Sequence, residues 1–357
     1  MHAESRNEAV RLLLVDDSNF MRTALRKMME GCGDVEVVGE ARNGAEAIRL
    51  FRKLKPHVIA MDLNMPIMDG IEAVGAIHRE KGPPVIMVSN ETSEGAAATI
   101  RALEAGAVDF VCKNSSFIRL DMASIERQLT DKVRHWGQWR RAASGGAEPR
   151  PAETAPPPAL APVAARRIAR PDLVVVGVST GGPVALGELL AQMDRAPCPV
   201  VVAQHMPGTF TAGFALSLAR QIGRPVSEGA DGTMLEAGTV TILRGGADHA
   251  VRRLADGRLI LRAVADSGEP HHPSANILFA SAAEAARAPV AIILTGMGED
   301  GSGGARFLRE RDLPVLVQDP ASCAVPGMPG AAIRAGLATD VLPVGAIARR
   351  LNSWFNR

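Results

Sequence analysis

The chain has no tyrosine, and aromatic residues make up only 3% of its 357 positions, so it offers few flat rings on which nucleic-acid bases could stack. It also lacks an excess of charge: 40 Lys and Arg face 39 Asp and Glu, and a net charge of +1 gives no long-range field to hold a polyanion. Nucleic acid is excluded as a partner on both grounds. Cysteine is sparse. The four thiols, at Cys32, Cys112, Cys198 and Cys323, are too far apart for the close pairs of a zinc site or redox dithiol, and read as reduced packing residues. No apolar run approaches the ~20 residues that span a bilayer. The opening MHAESRNEAVRLLLVDD has too short an apolar stretch for a signal peptide, so a cytoplasmic protein without membrane insertion is expected.

A length of 357 residues exceeds the roughly 250 at which single cores stop growing, and two domains are expected. Between Arg140 and Arg170 the sequence turns to Ala, Pro and Gly, with almost no large apolar side chains to build a core. That composition reads as a linker, or as a polyproline docking segment. The expected division is therefore 1–139, a linker at 140–170, and 171–357, with a helix ending near Trp139 and a strand opening near Asp172.

The first half alternates apolar runs (RLLLV, VEVVG, HVIAMD, PVIMVS, VDFVC) with helical patterns such as AEAIRLFRKL. Strands alternating with helices imply βαβ units and a doubly wound parallel sheet, whose functional residues gather at the carboxyl ends of the strands. Asp16 and Asp17 follow the first run, Asp62 ends the third, Ser89 the fourth, and Lys113 follows the fifth. Three carboxylates brought together need a hard cation between them, and an oxygen-rich open site suits Mg²⁺. Asp62 could then attack a phosphoryl donor while Lys113 and the Ser89 hydroxyl hold its oxygens. Taken singly, Asp16, Asp69 or Ser89 reads as well as a helix cap or turn residue.

Together LLVDDS, MDLNMPIMDG, VSNET and DFVCK resemble the receiver domain of two-component response regulators over residues 10–135. The resemblance implies a flavodoxin-like (βα)5 fold in which Asp62 accepts phosphate from a chemotaxis histidine kinase. It also implies Mg²⁺ on Asp17, Asp62 and the carbonyl of Asn64, aided by Asp16, and makes Phe110 the aromatic switch residue. Asn114 departs from that pattern, which has proline after the lysine.

In the second half, PDLVVVGVSTGGPVALGELL reads as a buried strand, a glycine-rich turn and a helix from about Pro183. A dinucleotide fingerprint would need glycine where Ser179 stands. The competing reading is a nucleophile turn that exposes the Ser179 hydroxyl. A serine is weak without a base, and PVVVAQHMPG delivers His205 at the end of a second apolar run. AIILTGMG then leads to Asp300, with glycines around Met297 leaving amides free for an oxyanion. Glu299 and His249 read as solvated or structural.

The stretches GVSTGG, QHMPGTFTAGFA, EGADG, ANILFASAA, TGMGEDG and QDPASCAVPGMP resemble the chemotaxis protein-glutamate methylesterase (CheB) family over about residues 172–350. The resemblance implies a doubly wound, mostly parallel α/β methylesterase domain that needs no cofactor. In it Ser179 is the nucleophile, His205 the base and Asp300 its orienting acid, and Thr180 and Met297 lie beside the oxyanion. The implied substrates are methyl-accepting chemotaxis receptors, whose glutamyl methyl esters lose methanol and whose selected glutamines are deamidated. His272, Asn276 and the run Arg244-Gly245-Gly246-Ala247-Asp248-His249 depart from the family pattern and are expected to shape the substrate groove. Receiver control of the hydrolase, with the unphosphorylated receiver packed over the Ser179 cleft, and a monomeric state are expected. A non-catalytic adaptor and a small-ester hydrolase are the rival functions.

Overall fold

The computed structural model describes residues 9–90, 92–113, 122–144, 170–265 and 267–356, and the chain divides into two units between Arg150 and Pro151. Asn114 lies outside the described residues, as does most of the expected linker. No described helix is long and apolar enough to cross a membrane.

In the first unit five strands and five helices alternate: β1 (Val10–Val15), α1 (Asn19–Glu30), β2 (Val35–Ala41), α2 (Gly44–Leu54), β3 (Val58–Asp62), α3 (Gly70–Arg79), β4 (Val85–Asn90), α4 (Ser93–Glu104), β5 (Asp109–Lys113) and α5 (Met122–Ser144). The strands pair in parallel in the order β2-β1-β3-β4-β5. The order reverses between β1 and β3, so the ends of these two strands, and with them Asp16 and Asp62, share one crevice. Ser18, Asn43 and Thr92 each cap the helix that follows by accepting a backbone N–H. Helix α5 continues to Ser144, past the expected end at Trp139. The alanines after Trp139 are strong helix formers and carry it into the segment read as linker.

The second unit contains β6 (Leu173–Val178), α6 (Gly182–Gln192), β7 (Val200–Gln204), α7 (Gly208–Ile222), β8 (Val226–Gly229), β9 (Met234–Leu235), β10 (Val240–Leu243), β11 (Asp248–Arg253), β12 (Leu259–Val264), α8 (Ala275–Ala285), β13 (Pro289–Ile293), α9 (Ser302–Glu310), β14 (Val315–Gln318), α10 (Gly327–Arg334), β15 (Asp340–Leu342) and α11 (Val344–Phe355). Seven strands form a parallel sheet in the order β15-β14-β13-β6-β7-β10-β8. A small antiparallel sheet, β11-β12-β9, stands apart from it. Every residue of β6 is buried, which is why its sequence reads LVVVGV without alternation: both faces of a parallel sheet are covered by helices. Each buried valine there contributes about 1.5–3 kcal/mol relative to exposure. Strand β6 is the switch point, since β7 continues the sheet on one side and β13 on the other. Cys198 and Cys323 are buried in this unit with thiols pushed up to about 12 by burial, which suits inert packing residues.

Candidate active site

At the switch point the register is set by the sheet itself. Val178 pairs with Gln204, so Ser179 and His205 are the first residues beyond two adjacent strands. The Ser179 amide donates to Thr295 O (3.0 Å), and the His205 amide donates to Val178 O (3.0 Å). Gln204, buried at the end of β7, donates from one amide nitrogen to Ser179 O (3.1 Å) and His205 O (3.2 Å), tying the two turns together. Gly181 has φ +75°, which favours glycine, and an added Cβ would lie 2.4 Å from that of Ala324. At Gly296 a Cβ would lie 2.7 Å from Cβ of Ser179, so only glycine lets the β13 loop approach the serine this closely. The Thr295 hydroxyl lies 2.9 Å from Thr180 O and accepts from the Val325 amide at 2.8 Å, pinning the serine turn to the segment after β14.

His205 Nε2 donates to Asp300 Oδ2 at 2.7 Å. Asp300 lies seven residues beyond the end of β13, where it opens α9, rather than at the strand end expected from the apolar run. It reaches back to the N-terminus of α8 and accepts from the amides of Ala275 (2.7 Å), Asn276 (2.9 Å) and Gly301 (2.8 Å) and from the Ser274 hydroxyl (3.2 Å). Burial pushes its pKa up, but the bonds from His205 and from these amides outweigh burial and hold it below the usual carboxylate range. Asn276 returns the cap, its Oδ1 accepting from Gly301 and Gly304 at 2.9 Å each, while its Nδ2 donates to Glu269 (3.0 Å). With Nε2 committed to Asp300, Nδ1 is the His205 nitrogen left for a serine proton. Among the described residues no hydrogen bond joins Ser179 Oγ to His205, and the Thr180 and Met297 amides have no acceptor.

Other residues singled out from the sequence lie around this centre. Glu299 is exposed. His249 is buried, its Nδ1 lacks a partner among the described residues, and burial holds its pKa down. His272 pairs with buried Asp248 (Nδ1 to Oδ2, 2.7 Å), so two of the departures expected in a groove, His272 and Asn276, make bonds that hold the loop before α8. Sequence reasoning missed Gln204, Thr295 and His271, whose ring stacks on that of His205. A polar residue ending an otherwise apolar buried strand, as Gln204 does, is the signal that could have found the first.

The first unit holds a second site. One carboxylate oxygen each from Asp16, Asp17 and Asp62 lie within 4.8 Å of one another. Lys113 Nζ donates to Asp16 Oδ2 (2.8 Å) and Asp62 Oδ1 (2.6 Å). Burial pushes the pKa of Asp62 up, and Asp16 adds to the rise against the opposing pull of Lys113. Burial pushes Lys113 down, but the two carboxylates more than reverse this and keep it charged. Gly70 lets α3 begin against the end of β3, where a Cβ would lie 2.3 Å from Asp62 O. Buried Arg22, on α1, donates to the carbonyls of Asp16 (2.7 Å) and Asp17 (3.1 Å) and holds the acidic turn. The Ser89 hydroxyl bonds Thr99 at 2.7 Å. Lys132 lies over the Phe110 ring, 5.7 Å from its centroid. This all-oxygen, carboxylate-rich donor set fits a hard divalent cation such as Mg²⁺.

The family described as CheB methylesterase matches residues 174–351, and that described as response regulator receiver domain matches residues 12–124. The "Protein-glutamate methylesterase/protein-glutamine glutaminase 1" of Saccharophagus degradans is 40% identical, covering 97% of this chain and 99% of the relative. A protein of the same name from Oleidesulfovibrio alaskensis is 39% identical, covering 96% and 98%. Among solved structures, the CheB methylesterase catalytic domain of Thermotoga maritima is 33% identical, covers 51% of this chain and 98% of its own, and has a TM-score of 0.49. The response regulator domain of Thermotoga maritima CheB is 44% identical, covers 36% and 97%, and has a TM-score of 0.34.

Proposed function

Since the chain belongs to the CheB methylesterase family and carries that family's receiver domain, we propose that Ser179, His205 and Asp300 hydrolyse glutamyl methyl esters of chemotaxis receptors under the control of Asp62. The protein is a phosphorylation-regulated protein-glutamate methylesterase and protein-glutamine glutaminase. The observation that carries the residue assignment is the 2.7 Å bond from His205 Nε2 to a carboxylate that is itself held by three backbone amides.

His205 Nδ1 takes the Ser179 proton as Oγ bonds to the ester carbonyl carbon. The Thr180 and Met297 amides donate to the carbonyl oxygen as it takes up the negative charge. When the C–O bond to the methoxy group breaks, His205 returns its proton and methanol leaves. Water then attacks the glutamyl-serine ester by the same route, freeing the receptor glutamate and the serine hydroxyl. A glutamine follows the same path with ammonia as the leaving group. Asp300 remains ionised throughout and stabilises the imidazolium.

In the receiver, Asp62 attacks the phosphorus of a kinase phosphohistidine, the P–N bond breaks, and an aspartyl phosphate results. Lys113 and the Ser89 hydroxyl hold the phosphoryl oxygens. Asp17, Asp62 and the Asn64 carbonyl, with Asp16 beside them, would hold Mg²⁺. When bound, the ion neutralises charge on the transferring group. In this reading residues 140–170 join receiver and hydrolase, and the protein works as a cytoplasmic monomer on receptors and a chemotaxis kinase.

The test is methanol release from methylated receptor membranes by wild type and Ser179→Ala, with and without a small phosphodonor and Mg²⁺. Release that requires Ser179 and rises with the donor is expected. Normal receptor adaptation by the Ser179→Ala protein would instead identify an adaptor. Cleavage of small esters with no release from receptors would identify a small-ester hydrolase.

A further inference from the structure

One ring beside the triad has no part in the chemistry above. The imidazole of His271 stacks on that of His205 with centroids 4.6 Å apart and planes 25° from parallel. The loop that carries it is moored on both sides of the ring. Buried Asp248 at the start of β11 accepts from the Ser267 hydroxyl, from His272 Nδ1 (2.7 Å) and from the Ser274 amide (2.7 Å). The Gly246 amide donates to His272 O at 3.1 Å. Loop position, and therefore the place of the His271 ring, is fixed by bonds to a different sheet from the one that carries His205.

We propose that His271 is a positioning residue for the general base, a neutral aromatic face that holds the His205 ring in plane and stabilises it when it becomes an imidazolium. This inference rests on the triad reading and deepens it. The base gains its charge only as the serine attacks, so a contact that strengthens with that charge acts on the transition state and raises kcat with little effect on KM. A ring above a cation attracts it through its electron-rich face, provided the ring itself is uncharged. The charged and titratable groups that face His271 are His205 and Asp300 from the two sides of the triad, and His272 and Glu269 from its own loop. Burial, then the proximity of His205, holds the His271 pKa below the ordinary histidine value, so the neutral face is present at pH 7.

Full-length wild type, His271→Ala, His271→Phe and His271→Lys are compared by methanol release from methylated receptor membranes, with phosphodonor and Mg²⁺. The Ala variant is expected to lose about tenfold in kcat with KM changed by less than about twofold, and Phe, a ring that cannot titrate, to recover most of the loss. A fixed cation in the Lys variant disfavours protonation of His205, which moves the acid limb of the pH profile of kcat/KM to lower pH. An Ala variant with wild-type kcat, or Ala and Phe variants that lose equally, overturns the proposal. A further measurement is free of variants at His271: its ring titration by NMR is expected to shift to higher pH in His205→Gln. An unshifted titration overturns the stacked contact. Wild type that releases no methanol overturns the triad reading itself, an outcome distinct from active wild type with an indifferent Ala variant.

Discussion

Asp62 and Asp300 are both buried aspartates in crevices at the ends of parallel strands, yet their pKa values move in opposite directions. Burial raises both. At Asp300 the rise is overcome by fixed donors: three backbone amides, a serine hydroxyl and the His205 ring. Asp62 has one ammonium, which it shares with Asp16, and a weaker backbone bond from Leu63. The carboxylate proposed to stay charged through turnover is surrounded by dipoles that cannot leave. The one proposed to form a bond to phosphorus has fewer donors, which leaves a lone pair available.

The largest effect is expected at Asp300. Replacing it with Asn keeps the shape but removes the charge that orients and stabilises the His205 ring, and kcat for methanol release should fall about 10⁴-fold. Loss of less than about tenfold would mean that the amides alone set the base. At the other site, Lys113→Met leaves Asp62 and Asp16 facing each other without the ammonium. Stimulation of esterase activity by a phosphodonor should then drop about hundredfold, with donor-independent activity retained.

The two aspartates should also act on stability with opposite signs. The lowered pKa of Asp300 means that its contribution is complete above the ordinary aspartate value and is lost as pH falls through the lower native value. The raised pKa of Asp62 means that ionising it costs stability, and that cost appears as pH rises from the ordinary value through the higher native one. Urea unfolding at pH 7 should therefore find Asp300→Asn destabilised by about 1–3 kcal/mol and Asp62→Asn stabilised by about 1 kcal/mol. Equal signs would end the contrast. The smallest effect is expected at Asn276→Asp, which keeps the cap on α9 but loses the donor to Glu269 and sets a second carboxylate near Asp300. Its melting temperature should fall by a few degrees, with activity within about threefold of wild type.

Much of the fold and both candidate sites were legible because strand ends are marked in sequence. Apolar runs such as LVVVGV and HVIAMD announce buried parallel strands, and the polar residue after each run lands in the crevice. For residues outside the runs, the placement or the partner was illegible. Asp300 was picked out, but nothing local says that it stands at the start of α9 and caps α8. His271 lies in a loop, and its partner is 66 positions earlier in the chain. Gln204 was passed over in favour of its neighbour His205, since a hydrogen bond to two backbone carbonyls leaves no periodic trace. The end of α5 was misplaced because composition locates a linker better than it locates the last turn of a helix.

The position of β6 at the middle of its sheet bears on the order of synthesis. Ser179 and His205 emerge early, but β13 and Asp300 belong to the other flank of the sheet and follow only after β7 to β12 and α8 have been made. On the proposed triad, a growing chain carries a serine with no aligned base until its far flank is translated, and by then the receiver, which precedes it in the chain, has been made and folds as its own unit. The hydrolase is completed only in a chain that already possesses its switch.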